Sequence, residues 1–171
     1  MNCDGTMAAL WGNHGNMMAK PWRHRENRFA GREIIRECDC CRLAFPDGKS
    51  AYIVPLSFGY DEEENVLYFH GAAEGKKMDL VRQTGYAGFE MDTAHGLKTA
   101  DQACGFSFRY RSVVGEGPIR VVEETQEKKK GLNCIMGHMS GKDSWDYPEA
   151  MLKRTAVLRL DVEQMSGKEQ V

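Results

Sequence analysis

The chain has no apolar run approaching the roughly 18 residues that a membrane-spanning helix requires, and its 171 residues carry a net charge of only −2. The first absence argues against a helical membrane span. The second removes the electrostatic reason to expect nucleic acid or an anionic membrane as partner. A secretion signal is also missing, because Met1 to Met18 is rich in Gly, Asn and Met with no continuous apolar core after a basic start. The six cysteines are therefore read as cytosolic thiols, and the expected location is cytoplasmic. Cys38 and Cys41 have the Cys-x2-Cys spacing of a zinc pair, but no second pair follows. They read as small buried apolar residues, and no metal is expected. No Gly-x-Gly-x-x-Gly occurs, so the common dinucleotide fingerprint is absent as well.

What is present is an ordinary soluble composition, 42% apolar and 28% charged, long enough for one domain with a real core. Residues 1–28 show no periodicity and contain Gly5, Gly12 and Gly15, which marks a flexible N-terminal extension. Its basic stretch from Lys20 to Arg28, with Trp22, reads as a solvated arm. The folded domain is expected over residues 29–168.

Within it, Gly31 to Glu37 has helical spacing. Cys41 to Phe45 and Ala51 to Phe58 flank Pro46-Asp47-Gly48, a strong hairpin signal. Gly59 to Glu64 reads as an acidic turn and Val66 to His70 as a third strand. Glu74 to Thr84 is helical, with Gly85 as its stop. Tyr86 to Met91 is a strand and Thr93 to Ala103 a loop. Phe106 to Val122 is a long strand, with a bulge or bend expected at Gly115, Gly117 and Pro118. Glu124 to Met139 is helical. Thr155 to Val162 closes the series as a strand with Ala156, Leu158, Leu160 and Val162 on one face. Hairpins rather than βαβ units link the first strands. The expected fold is mainly β, a six-stranded antiparallel split β-barrel with peripheral α-helices.

The segment from Tyr68 to Lys77 carries the chemistry. A strand ends in His70, small residues follow, and Lys76 and Lys77 open a helix. Cations are unfavourable at a helix N-terminus unless an anion is near, and that terminus itself attracts phosphate. An alternative is that the two lysines are solvated charges. His70 is either a structural strand histidine or a group that donates to a ligand and moves a proton. Pro55 has no N–H and suits an edge strand. Arg109 and Arg111 read either as a solvated strand face or as an interface or cofactor lining. His14, His24 and His95 fall in loop-like stretches and are given no role.

Cys41–Phe45, Tyr52–Tyr60, Leu67–Ala72, Gly75–Lys77 and Tyr110–Gly117 occur in an order that resembles the pyridoxamine 5′-phosphate oxidase-like FMN-binding split barrels. Within them the chain looks most like the nitroimidazole-resistance (nitroimidazole reductase) group. The resemblance implies a homodimer with FMN at its interface and reduction of a small-molecule acceptor. It places the backbone of Tyr52, Ile53, Val54, Pro55, Leu56 and Ser57 along the flavin. It places Phe69 and His70 near the ring, with His70 the catalytic candidate, and Lys76 and Lys77 at the phosphate. Ser112 matches a position at the flavin's polar edge, and Trp145 an aromatic supplied by the partner chain. The chain departs from the oxidases proper in having Lys76 where their phosphate pair begins with arginine, and in ending without their C-terminal Trp. Pyridoxamine phosphate is therefore not the implied substrate. Related barrels also include non-catalytic flavin- or haem-binding proteins, for which His70 or His138 would be the haem ligand.

Overall fold

The computed structural model describes residues 28–170. The expected extension over residues 1–28 lies outside the described residues apart from Arg28, and so do His14, Trp22 and His24. The elements run α1 (Arg28–Glu37), β1 (Cys41–Asp47), β2 (Ser50–Leu56), β3 (Phe58–Asp61), β4 (Val66–Ala72), α2 (Lys76–Thr84), β5 (Tyr86–Lys98), β6 (Ser107–Val121), α3 (Thr125–Ser140), α4 (Glu149–Arg154), β7 (Thr155–Asp161) and β8 (Gln164–Gln170).

Every strand pairing is antiparallel. The order across the sheet is β2-β1-β5-β6-β7-β4-β3, with β8 also on β6. The long strand β6 serves both halves: Tyr110 to Glu116 pair with β8, and Ile119 to Val121 pair with β7. This is the expected mainly β, antiparallel class with helices at the periphery. It has eight strands where the sequence suggests six.

The two additional strands have physical reasons. Residues 58–61 pair with Val66–Phe69 as β3, so the acidic turn starts only at Glu62. There Asp61 Oδ1 accepts from the backbone N–H groups of Glu63 and Glu64, each at 3.1 Å. Gly59 is not a turn residue. A Cβ on it would stand 2.4 Å from the backbone of Cys134 and Ile135, so it lets α3 lie directly on the strand. The other addition, β8, pairs only with β6, and Met165 is its one large apolar side chain, packed against the core beside Gly31 of α1, so little in the sequence marks it.

Strand β5 also runs to Lys98, well into the stretch read as a loop. Its register slips between Thr93 and Gly96, with Ala94 at φ 56°. The bend expected at Gly115 to Pro118 does not interrupt the β5–β6 ladder, which is continuous from Tyr86↔Pro118 to Thr93↔Arg111. The glycines there mark close approach instead.

The interior follows the sequence pattern. Cys41, Leu43 and Phe45 of β1, Met78, Leu80 and Val81 of α2, and Ala156, Leu158, Leu160 and Val162 join one cluster. Each large apolar side chain so buried is worth roughly 1.5–3 kcal/mol of transfer free energy. Val157, on the opposite face of β7, joins Val66, Tyr68, Val122 and Ile135 under α3. The helix α2 ends as expected, with Gly85 at φ 60° donating its N–H to the Val81 carbonyl at 3.0 Å. Cys38 and Cys41 are buried. Burial, with nearby carboxylates, pushes the Cys38 thiol up to about 12. No described helix is long and apolar enough to cross a membrane.

Candidate functional site

Strand β2 lies at one end of the sheet, paired only with β1. Pro55 therefore sits on an edge strand, where its missing N–H breaks no inner ladder. Along β2, Tyr52, Val54 and Leu56 turn inward against the core, while Ile53 and Pro55 face out. The free edge of β2 offers unpaired backbone donors and acceptors. Its two ends meet the other candidates. Ser57 directly precedes Phe58, whose partner is Phe69, so Ser57 and His70 are the next residues along that pairing. At the opposite end, the Lys76 ammonium lies 5.3 Å from the centroid of the Tyr52 ring.

The two lysines differ. Lys76 Nζ is 2.5 Å from Asp47 Oδ2 at the tip of the β1–β2 hairpin, so its charge is already neutralised. Lys77 makes no ion pair with any described residue, and desolvation lowers its pKa. Its ammonium rests on the backbone of Gly71. A Cβ at Gly71 would lie 2.5 Å from Lys77 Nζ. Gly75, at φ 111°, is the N-cap of α2 and gives it no side-chain cap. The backbone N–H groups of Lys76 and Lys77 thus have no partner within the helix. An unshared ammonium beside uncapped amides is a fitting anion cradle.

Gly71 was not singled out by sequence reasoning, since its only signal was its place between His70 and the lysines. Gly71→Ala is expected to push Lys77 aside and to weaken binding of any anion there by about tenfold. A titration of the variant with FMN checks this, with thermal unfolding as the control for folding.

His70 is exposed near the end of β4, two residues before its last. Desolvation first, and then the Lys77 charge, hold its imidazole below the ordinary histidine range. Its folded pKa is therefore lower than its unfolded one. As pH falls below about 6.5 the unfolded chain takes up the proton first, so the folded state loses stability until its own lower pKa is reached. His70→Gln removes that slope. The melting temperature of the variant is expected to drop less than that of the wild type between about pH 7.5 and 5.5.

Not every expected residue joins this group. The Phe69 side chain is fully buried in the core, so only its backbone is available to a ligand. Ser112 pairs with Asp92 and Lys168 on β6. The end of β6 nearest His70 is followed by Val122, whose N–H donates to the Val157 carbonyl, Val157 being the partner of His70. Ser112 is ten residues back along the strand, roughly 30 Å if straight. Trp145 is held locally: its indole N–H donates to the Lys142 carbonyl at 2.7 Å and its backbone N–H to Asn133 Oδ1 at 3.2 Å. His138 joins α3 to the end of α1, with Nε2 2.7 Å from the Cys38 carbonyl and its ring 4.3 Å from that of Phe58.

Ser112 instead lies on a face of β6 whose alternate residues include Phe108 and Val114, each about half exposed, as is Phe106 just before the strand. Beside it is a charged row that the sequence did not reveal. Arg42 Nη1 stands 2.9 Å from Glu90 and 2.5 Å from Asp92, and His95 Nε2 is 2.6 Å from the other Asp92 oxygen. No group of three or more His, Cys, Asp or Glu side chains suited to a metal ion occurs among the described residues.

Comparison with known proteins gives this arrangement a family. The family model described as pyridoxamine 5′-phosphate oxidase matches residues 30–169. Among solved structures, the chain is similar to a candidate 5-nitroimidazole antibiotic resistance protein from Bacteroides thetaiotaomicron. The two are 29% identical with a TM-score of 0.73, over 83% of each chain. The flavocytochrome Anf3 from Azotobacter vinelandii shares the fold at 17% identity and TM-score 0.75, covering 86% of this chain and 69% of that one. The FAD and heme binding protein from Mycobacterium smegmatis shares it at 19% identity and TM-score 0.72, covering 85% and 71%. A search of curated proteins found no match.

Proposed function

The chain belongs to the pyridoxamine 5′-phosphate oxidase family, and on that premise we propose that it binds FMN and acts as an oxidoreductase on a small acceptor such as a nitroimidazole-type compound. The observation that carries this reading is the Lys77 ammonium, unshared and partly desolvated, seated on Gly71 beside the uncapped start of α2. Such a cradle suits the phosphate of a mononucleotide. FMN, when bound, supplies the electron transfer itself.

The chain's own residues bind and orient. Lys77 and the first amides of α2 hold the phosphate. Lys76 contributes to the extent that it exchanges Asp47 for the ligand. The free edge of β2, from Tyr52 to Ser57, offers backbone hydrogen bonds to the flat ring. His70, neutral near pH 7 because its pKa is depressed, can donate one hydrogen bond from its protonated nitrogen or deliver a proton acquired from solvent.

Ser112 reaches the same flavin only across a homodimer. The exposed face carrying Phe106, Phe108 and Val114 around it suits a buried interface between two copies. Trp145, exposed in its loop, takes the same role as an aromatic from the second copy. The whole reading is tested by offering purified protein FMN. A shift in flavin absorbance with quenching of its fluorescence is expected, on a species that sediments as a dimer. A protein that leaves free FMN unchanged refutes it. For the haem alternative, His138 is already committed to the Cys38 carbonyl and the Phe58 ring, which leaves His70 as the histidine ligand. A Soret band in the purified protein would favour that alternative over FMN.

A further inference from the structure

Asp47 ends β1 at the tip of its hairpin with β2, where it pairs with Ser50. The turn is held without its carboxylate. Gly48 takes φ 62°, and Ser50 Oγ donates to the Asp47 backbone carbonyl at 3.0 Å. The side chain reaches across to another element instead. Its Oδ2 lies 2.5 Å from the ammonium of Lys76, the first residue of α2. The same ammonium stands 5.3 Å from the centroid of the Tyr52 ring on β2. Lys76 is thus drawn onto the hairpin by two contacts. No other carboxylate pairs with Lys76 or Lys77 among the described residues.

As a stabiliser of the fold this pair counts for little, because both side chains are partly exposed. Its effect on a ligand is larger. The start of α2 is where backbone amides favour an anion, and Lys77 brings an unshared, partly desolvated charge there. Two ammonium groups and one carboxylate leave a single net positive charge, half of what the lysines alone would supply. A phosphate monoester carries about −1.5 to −2 charges near pH 7. Such a group meets one free cation, and it must compete with the Asp47 carboxylate for the second.

We infer that Asp47 sets the affinity and charge selectivity of the flavin cradle by holding Lys76 away from the phosphate. The inference rests on the FMN reading above and deepens it. Asp47 is a positioning residue, which acts on the ligand through Lys76 and not by contact. Its consequence is that FMN is an exchangeable ligand, one that dissociates faster than two free lysines would allow.

The full chain carrying Asp47→Asn is titrated with FMN and with riboflavin, which has the same ring and no phosphate, at matched ionic strength. Asn-Gly forms the same tight turns as Asp-Gly, so the hairpin keeps its form. FMN affinity is expected to rise about tenfold, mainly through slower dissociation. Riboflavin binding is expected to stay as in the wild type. Asp47→Ser, which also removes the charge, is the second variant and is expected to behave alike. Asp47→Glu keeps the charge and should bind FMN as the wild type does. In the Lys76→Ala background, Asp47→Asn is expected to gain no more than about threefold, because the cation it would free is gone. Unchanged or weaker FMN binding in both uncharged variants overturns the inference. So does an equal gain for riboflavin, or the full gain in the absence of Lys76. Each of these outcomes leaves the FMN reading standing, because the wild type still binds. Failure of the wild type and of both uncharged variants to bind FMN refutes the reading and the inference together.

Discussion

Lys77→Ala is expected to weaken FMN binding by about 10–100-fold, and Lys76→Ala by no more than about threefold. The two residues are adjacent, have the same side chain and stand in the same helical turn, so sequence alone treats them as a pair. The structure separates them by their partners. Lys76 already sits 2.5 Å from Asp47, and any phosphate it binds must displace that carboxylate. Its contribution is the difference between two similar ion pairs at a solvent-exposed position, which is small. Lys77 gives up no carboxylate when it binds an anion. Desolvation has already lowered its pKa, so a phosphate there relieves an unfavourable charge. A charge-assisted hydrogen bond of this kind is worth about 1.5–3 kcal/mol, which sets the 10–100-fold expectation. Fluorescence titrations of wild type and both variants at matched ionic strength decide the matter. Equal losses, or a larger loss at Lys76, would remove Lys77 from the centre of the site.

That asymmetry shows where sequence reading reaches its limit. The gathering of His70 with the two lysines was legible because a strand end, small residues and a helix start follow one another within ten residues. Asp47 was legible only as a turn residue. Its contact with Lys76 joins residues 29 positions apart, and no local pattern records it. The hairpins, the Gly85 stop and the inward face of Thr155–Val162 were legible for the same local reason: each is an alternation or a terminator within a short window. The strands β3 and β8 were hidden because their local signals mislead. In β3, Gly59 mimics a turn residue while serving helix contact. In β8, Met165 stands alone among polar residues, so the segment mimics a loop. The separation of Ser112 from His70 depends on the order of strands across the sheet, which a single sequence does not expose. The extent of β5 depends on a register slip, which alternation over six or seven residues does not detect.

The same limit applies to the glycines of β6, and there the expected effect on stability is largest. The sequence marks Gly115 and Gly117 as a bend, yet the strand keeps its register with β5 past both of them. What happens at Gly117 is a crossing. The strand passes from β8 to β7 as its second neighbour, and the connection between those two strands lies across it. Glu163 donates its N–H to the Glu116 carbonyl at 3.1 Å. A Cβ on Gly117 would lie 1.9 Å from the Asp161 carbonyl oxygen and 3.0 Å from its carbon. Both are backbone atoms, so no side-chain rotation relieves the overlap, and β6 and β7 must move apart. Overpacking of this kind costs more than about 3 kcal/mol, a large share of the roughly 5–15 kcal/mol that holds a domain folded. Gly117→Ala is therefore expected to yield little folded protein, or protein with a much lower urea midpoint. Gly88→Ala is the control on the neighbouring strand. Its Cβ would meet the Gly115 oxygen at 3.7 Å, an ordinary contact, and its cost is expected to stay below about 1 kcal/mol. A Gly117→Ala protein as stable as Gly88→Ala would show that the β7–β8 connection does not press on β6 as described.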